Sequence, residues 1–191
     1  MKTKSTTMKI VLGAVFTALA LALSYLKIPI GAAWGGFGGS IDLVMIPIIV
    51  YAVYAGLGWG VAAGLIFGTL KFFLAGGVAV NWQSMLLDYV LAYGAVGLAG
   101  IFKGRSWGLV PGAVIGCLGR FAIHYLSGVT IYAEYMPEEF LNMTMTKAST
   151  YSILYNGTYM LPNTVLAIVI CAVLVVPLKK FIDDRPHIEG K

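Results

Sequence analysis

The sequence predicts an all-α polytopic membrane protein with six transmembrane helices and both termini cytoplasmic. Three observations predict it. Of the 191 residues, 59% are hydrophobic and 11% charged, about half the charged share of an ordinary soluble domain. The apolar residues fall into separate runs, and because a hydrocarbon core takes about 20 apolar residues per helical crossing, the chain holds about six crossings and little else. The basic residues collect in short polar segments at the ends of those runs, as cytoplasmic loops of membrane proteins do. A single membrane domain over residues 1–191 follows.

The basic stretch 1–9 precedes an apolar run, 10–26, that reads as a retained first helix. It lacks the small-residue cleavage site and polar following chain of a signal peptide. The second run, 41–55, is short and carries Pro47, so a bent or partly embedded helix packed among its neighbours is expected. The third, fourth and fifth runs are 57–75, 84–102 and 107–128. The last, 148–178, is long for one crossing and contains Pro162 and Pro177, which predicts a kink near the first proline and a stop near the second.

Orientation follows from the basic residues. With the N terminus inside, Lys2, Lys4, Lys9, Lys103, Arg105, Lys179, Lys180, Arg185 and Lys191 all fall on the cytoplasmic side of a cell membrane. The outer side receives only Lys27, Lys71 and Lys147, and its last loop carries Glu134, Glu138 and Glu139. The longer connections, 27–40, 76–83 and 129–147, then all lie outside, where variable chemistry can sit. The net charge of +5 is spread over loop ends and forms no continuous basic face, which argues against nucleic acid as a partner. Cys117 and Cys171 lie inside apolar runs with no metal-ligand spacing, so neither a disulfide scaffold nor a metal site is expected.

Ionisable groups within apolar runs are costly unless paired or hydrated, which makes each a functional candidate. Asp88 stands near the outer start of the fourth run, Arg120 and His124 toward the outer end of the fifth, and Asp42 at the start of the second. Arg120 and His124 are four apart and share a helical face that continues to Gly128, where room is left beside them. A carboxylate, a guanidinium and an imidazole can therefore line one cavity. Blander readings stand beside this one. Asp88 and Arg120 can form a structural ion pair, Asp42 can be a helix-end carboxylate, and His124 can be a packing residue.

Aromatic residues complete the constellation: Trp34 in the glycine-rich stretch 31–39, Tyr89 beside Asp88, Tyr132 after the fifth run, and Tyr151 opening the sixth with Asn156 following. Tyr151, Tyr155 and Tyr159 recur every four residues, a spacing that more often marks packing. Stacking faces with one carboxylate and one amide suit a flat, cationic, hydrogen-bonding heterocycle. The glycine-rich stretch can act as a lid or as a plain turn. Small residues at spacing four, Ala14, Ala18 and Ala22 on the first helix and Gly60, Gly64 and Gly68 on the third, let helices approach closely, and the stripe on the terminal helix is the one most available to a partner. There is no phosphate-binding loop, zinc-protease helix or serine-hydrolase elbow. No catalytic residue, cofactor or enzyme activity is assigned, and energy for uphill movement of a solute has to come from elsewhere.

Four stretches, in order, carry a family resemblance: Gly38-Gly39-Ser40 leading to Met45-Ile46-Pro47-Ile48, then Leu86-Leu87-Asp88-Tyr89, then the run from Arg120 through His124 to Gly128, and finally Tyr151 through Asn156 to Pro162. Together they resemble the thiamine-specific substrate-binding components of energy-coupling factor transporters, the ThiT (YuaJ) family. The resemblance implies a six-helix protein of the bacterial cell membrane that captures thiamine with high affinity from outside and docks on a transmembrane coupling protein with two ATPase subunits. By position it implies that Asp88 faces the cationic or amino-bearing part of the vitamin, with Tyr89 beside it. It carries the family's histidine onto His124, its basic neighbour onto Arg120 and its glycine onto Gly128. The loop tryptophan falls on Trp34 and the tyrosine and asparagine on Tyr151 and Asn156. The docking motif of the first helix falls on Ala14 and Ala18. Asp88 is one methylene shorter than the glutamate of some members, and Tyr132 stands where some have tryptophan. A rival class is a self-sufficient secondary transporter or channel for a small cationic solute, with Asp88, Arg120 and His124 as a proton relay.

Overall fold

The computed structural model of the protein describes residues 2–31 and 38–184, with backbone alone over residues 2–5. Its helices are α1 (Lys2–Leu23), α2 (Met45–Ala55), α3 (Leu57–Leu74), α4 (Trp82–Phe102), α5 (Leu109–Thr130) and α6 (Ala148–Asp183). Five of them are long and apolar enough to cross a membrane. The sixth, α2, has 11 residues and is only about 16 Å long at 1.5 Å per residue. It is a multi-pass, all-α membrane architecture.

The short α2 lies at the centre. Every residue of it except Tyr54 is buried, so its backbone needs no lipid-facing length, and neighbouring helices supply its surroundings. It begins at Met45, which puts Pro47 in the first turn, where the missing N–H has no helical partner to lose. The proline therefore starts this helix and does not bend it. α1 begins at Lys2, well before the apolar run, because Lys, Thr and Ser continue a helix into a polar layer without adding hydrophobicity. Ala14, Ala18 and Ala22 on α1 are exposed, beside exposed Val11, Val15 and Leu19.

α6 runs unbroken through Pro162 and through Pro177 to Asp183, past the stop expected near Pro177. Its far end is tied down: Ile182 is fully buried, and the Asp183 carboxylate accepts from the Ser106 N–H at 2.6 Å and the Ser106 hydroxyl at 2.9 Å. Those anchors outweigh the two hydrogen bonds that Pro162 and Pro177 cannot donate, in a helix whose remaining backbone groups have no better partner in lipid.

α3 and α4 run backbone to backbone. A Cβ on Gly64 would strike the Tyr93 carbonyl, and one on Gly68 that of Tyr89, while Gly97 and Gly100 face the backbone of Val61 and Leu57. Such contact is what small residues permit. α4 itself is not uniform. It opens with an α-turn (Trp82–Met85) capped by Asn81, widens to a π-turn (Leu86–Leu91), returns to α (Ala92–Val96) and tightens to a 3₁₀ stretch (Gly97–Phe102). The widened turn carries Asp88 and Tyr89, and such insertions are frequent at functional sites.

Two small hairpins close the end of the bundle that holds the widened turn. β1 (Ile28–Pro29) pairs antiparallel with β2 (Ser40–Ile41), Ile28 opposite Ile41. β3 (Glu139–Phe140) pairs with β4 (Met143–Thr144) across Leu141 and Asn142, whose φ angles of 53° and 59° make the two-residue turn that matches strand twist. Phe140 projects inward, 4% exposed, edge-on to Tyr151 at 5.3 Å. Cys117 and Cys171 are buried free thiols, and among the described residues no group of His, Cys, Asp and Glu could hold a metal ion.

Candidate binding site

One cavity opens among α3, α4, α5, α6 and the two hairpins. Its walls include Gly38, Gly39 and Ser40 from β2 and its approach, Lys71 of α3, Asp88, Tyr89 and Tyr93 of α4, and Arg120, His124 and Gly128 of α5. Tyr132 and Tyr135 of the following turn and Tyr151, Ser152, Tyr155, Asn156 and Tyr159 of α6 complete it. Asp88, Tyr89, Arg120, His124, Gly128, Tyr132, Tyr151 and Asn156, singled out from the sequence, all line this space. Trp34 lies outside the described residues.

The polar side chains form a chain of contacts. The Asp88 carboxylate meets His124 Nδ1 at 2.9 Å and accepts from the Ser127 hydroxyl at 2.9 Å. Arg120 Nε donates to His124 Nε2 at 3.2 Å. Since a guanidinium is always a donor, Nε2 carries no hydrogen, so the imidazole is neutral and its Nδ1–H donates to Asp88. Arg120 and Asp88 are thus connected through His124 and not as a direct pair. His124 is 7% exposed and stands edge-on to the Tyr159 ring at 5.9 Å.

Beyond Arg120 the chain continues to Tyr93 and Lys71, which the sequence reading did not single out for the site, and to Asp42. Arg120 Nη2 donates to the Tyr93 hydroxyl at 3.0 Å, and Lys71 Nζ donates to the same oxygen at 2.7 Å. Lys71 also pairs with Asp42 at 3.0 Å. Lys71 was counted only among the basic residues of the outer side, yet it is 7% exposed, because the segment carrying Asp42 packs over the end of α3. The signal that marked Asp88, a charge inside an apolar run, applied equally to Lys71. Asp42 retains its helix-end part, accepting from the Val44 N–H at 3.4 Å, and is also buried in this ion pair, with Ser40 donating at 3.0 Å. Its own N–H donates to Asn163 Oδ1 at 2.9 Å.

The opposite wall is aromatic. Tyr151, Tyr155 and Tyr159 form a ladder up α6 with centroid separations of 5.6 and 6.1 Å. Tyr155 and Tyr159, read from their spacing as packing residues, also face the cavity. The Tyr155 hydroxyl donates to the Gly38 carbonyl at 2.6 Å, and Gly39, at φ 88°, lies so close to the Tyr159 ring that a Cβ would collide with it. Asn156 donates to the Ser152 carbonyl at 2.9 Å and accepts from the Tyr159 hydroxyl. Gly128 lets α5 approach α6, since its Cβ would meet Ser152. Burial, reinforced by the Asp88 charge, pushes the Tyr132 hydroxyl up to about 12. The site therefore combines one carboxylate, one buried guanidinium, an amide and several π faces, which is an arrangement for binding and lacks a nucleophile or metal set for chemistry.

Comparisons with known proteins agree on one family. The family described as thiamine transporter protein (Thia_YuaJ) matches residues 10–183. The thiamine transporter ThiT of Bacillus subtilis is 31% identical over 162 residues, covering 78% of this chain and 81% of the relative. That of Lacticaseibacillus paracasei is 30% identical over 177 residues, covering 84% and 83%. The solved structure of ThiT from Listeria monocytogenes has the same fold, with a TM-score of 0.78 at 24% identity over 92% of this chain and 97% of that one.

Proposed function

The chain belongs to the thiamine transporter protein family, and we propose that it is the substrate-binding subunit through which thiamine is captured with high affinity outside the bacterial cytoplasmic membrane. The observation that carries this reading is the composition of one cavity wall: Asp88, His124 and Asn156 beside Tyr89, Tyr132 and Tyr151. Thiamine joins a cationic ring to an aminopyrimidine. A carboxylate suits its positive or amino-bearing part, and tyrosine faces suit both rings. The family resemblance carries a further stacking residue onto Trp34.

The protein itself has no phosphate-binding loop and no ATPase motif, so uptake draws on partners: a transmembrane coupling protein and two ATPase subunits of an energy-coupling factor transporter. The stripe Ala14, Ala18, Ala22, exposed on α1, is the surface on which that module docks. Termini lie in the cytoplasm and the cavity opens outward, in accord with the basic residues at the opposite end of the bundle. Binding changes no covalent bond. Titration of the purified protein with thiamine, read by tryptophan fluorescence and by calorimetry, tests the assignment; absence of both quenching and heat removes it.

A further inference from the structure

The hydroxyls of Ser24, Thr69, Thr130 and Thr164 each donate to the backbone carbonyl four residues earlier, at 2.6–3.1 Å. That local contact is the ordinary one for a short hydroxyl on a helix. Ser127 departs from it. Its hydroxyl crosses from α5 to α4 and donates to Asp88 Oδ2 at 2.9 Å. Ser127 is fully buried and does not border the cavity, whereas Asp88 does.

The other carboxylate oxygen, Oδ1, is met by His124 Nδ1 at 2.9 Å. His124 and Ser127 are three apart on α5 and share a face, so one helix holds both oxygens of Asp88. Two donors on two oxygens fix the plane of the carboxylate. One donor alone leaves it free to turn about the Cβ–Cγ bond, where rotation is broad. Each oxygen of an ionised carboxylate has two acceptor positions, so the clamp leaves one on each for a guest. The side chain, 16% exposed, turns that remainder toward the cavity. An aspartate reaches less far than a glutamate would, and the direction of its free lone pairs therefore decides whether a guest can be met.

We infer that Ser127 is a positioning residue for ligand capture: it touches no ligand and acts by presenting the Asp88 carboxylate to the positive or amino-bearing part of the guest. The inference rests on the thiamine reading and adds to it a residue that sets affinity from outside the cavity. A group already held in its bound orientation loses less freedom when the guest arrives, which tightens binding without any new contact.

The test is calorimetry with thiamine on the purified full-length chain as wild type, Ser127→Ala, Asp88→Asn and the double variant. Ser127→Ala should lose about threefold to tenfold in affinity, the range of one hydrogen bond. In the Asp88→Asn background the same change should cost less than about twofold, the signature of coupled groups. Melting temperature does not discriminate, because losing a buried hydrogen bond lowers it whichever role Ser127 has. A serine that only packs would cost the same factor in both backgrounds, and that outcome overturns the inference. Unchanged affinity in Ser127→Ala overturns it as well. So does a gain, because the hydroxyl then competes with the guest for the carboxylate. Ser127→Cys, close in volume and only a weak donor, should lose affinity in the same direction, and it replaces the alanine variant in the cycle if that one fails to fold. Failure of both to fold makes the hydroxyl structural and overturns the inference. Wild type that binds no thiamine removes the thiamine reading itself, an outcome distinct from wild type and Ser127→Ala binding equally well.

Discussion

His124 stands between Asp88 and Arg120, its Nδ1 2.9 Å from the carboxylate and its Nε2 accepting from the guanidinium at 3.2 Å. The imidazole is therefore a neutral spacer that keeps a negative and a positive group on one wall from neutralising each other. That arrangement leaves Asp88, at 16% side-chain exposure, open toward the cavity.

Asp88→Asn keeps the shape and removes the charge. Thiamine affinity is expected to fall by about tenfold to a hundredfold, the scale of a charge-assisted hydrogen bond, with the melting temperature of the ligand-free protein little changed. Calorimetry and thermal unfolding of the same preparation check it. A large loss of stability with affinity intact would make Asp88 a packing residue.

The Asp42–Lys71 pair behaves differently. Both side chains are almost wholly enclosed, so Asp42→Leu strands a buried ammonium and should destabilise by about 3–5 kcal/mol. The double change Asp42→Leu with Lys71→Met should recover most of that stability, since two apolar groups replace two charges. Thermal unfolding in one detergent compares the three proteins.

Gly128→Ala should harm both properties together. The new Cβ would fall against Ser152 and reach within 3.5 Å of Asn156 Nδ2. Pushing α6 from α5 is expected to cost about 1–3 kcal/mol, as overpacking does. Thiamine affinity should drop in the same variant, because Tyr151 and Asn156 ride on α6.

Tyr132 supplies a pH dependence. Its hydroxyl titrates near 12 in the folded protein against 10.0 ordinarily, so between those values the unfolded chain gives up a proton that the native one keeps. The unfolded state then binds fewer protons, and stability falls as pH rises through that window while being fully present below it. Melting temperature followed from pH 9 to pH 12 should decline less steeply in Tyr132→Phe than in wild type.

Ala18→Leu tests the docking surface. Ala18 is exposed on α1 and away from the cavity, so thiamine binding by the isolated chain should be unchanged. Uptake by vesicles holding the complete transporter should fall at least severalfold. Equal uptake would move the partner's contact to another face.

The polar wall was legible because lipid makes each buried charge conspicuous: Asp88, Arg120 and His124 stand out in apolar runs, and the spacing of four puts the last two on one face. Lys71 obeys the same rule but sits near the end of its run, where it looks like a loop charge. Only the fold of the segment through Asp42 over α3 encloses it. Tyr93, Tyr155 and Tyr159 were hidden by number, since tyrosines at helix ends and at helical spacing are ordinary packing, and nothing local says which face the cavity. The central place of α2 was likewise only half visible. Its short length suggested an embedded helix, while Pro47 suggested a bend and instead marks a start. The end of α6 escaped because Ser106 and Asp183 are far apart in sequence, so their contact could not be foreseen.

The glycine seam between α3 and α4 has a mechanical consequence. With Gly64 set against the Tyr93 carbonyl and Gly68 against that of Tyr89, neither helix can slide or rotate without its peptide planes colliding with those of its partner. The two therefore travel as one plank, carrying Lys71 and Tyr93 in fixed alignment. Any rearrangement of the cavity is therefore expected to leave that alignment intact and to act on the other walls, such as α6, where Tyr155 donates to the Gly38 carbonyl.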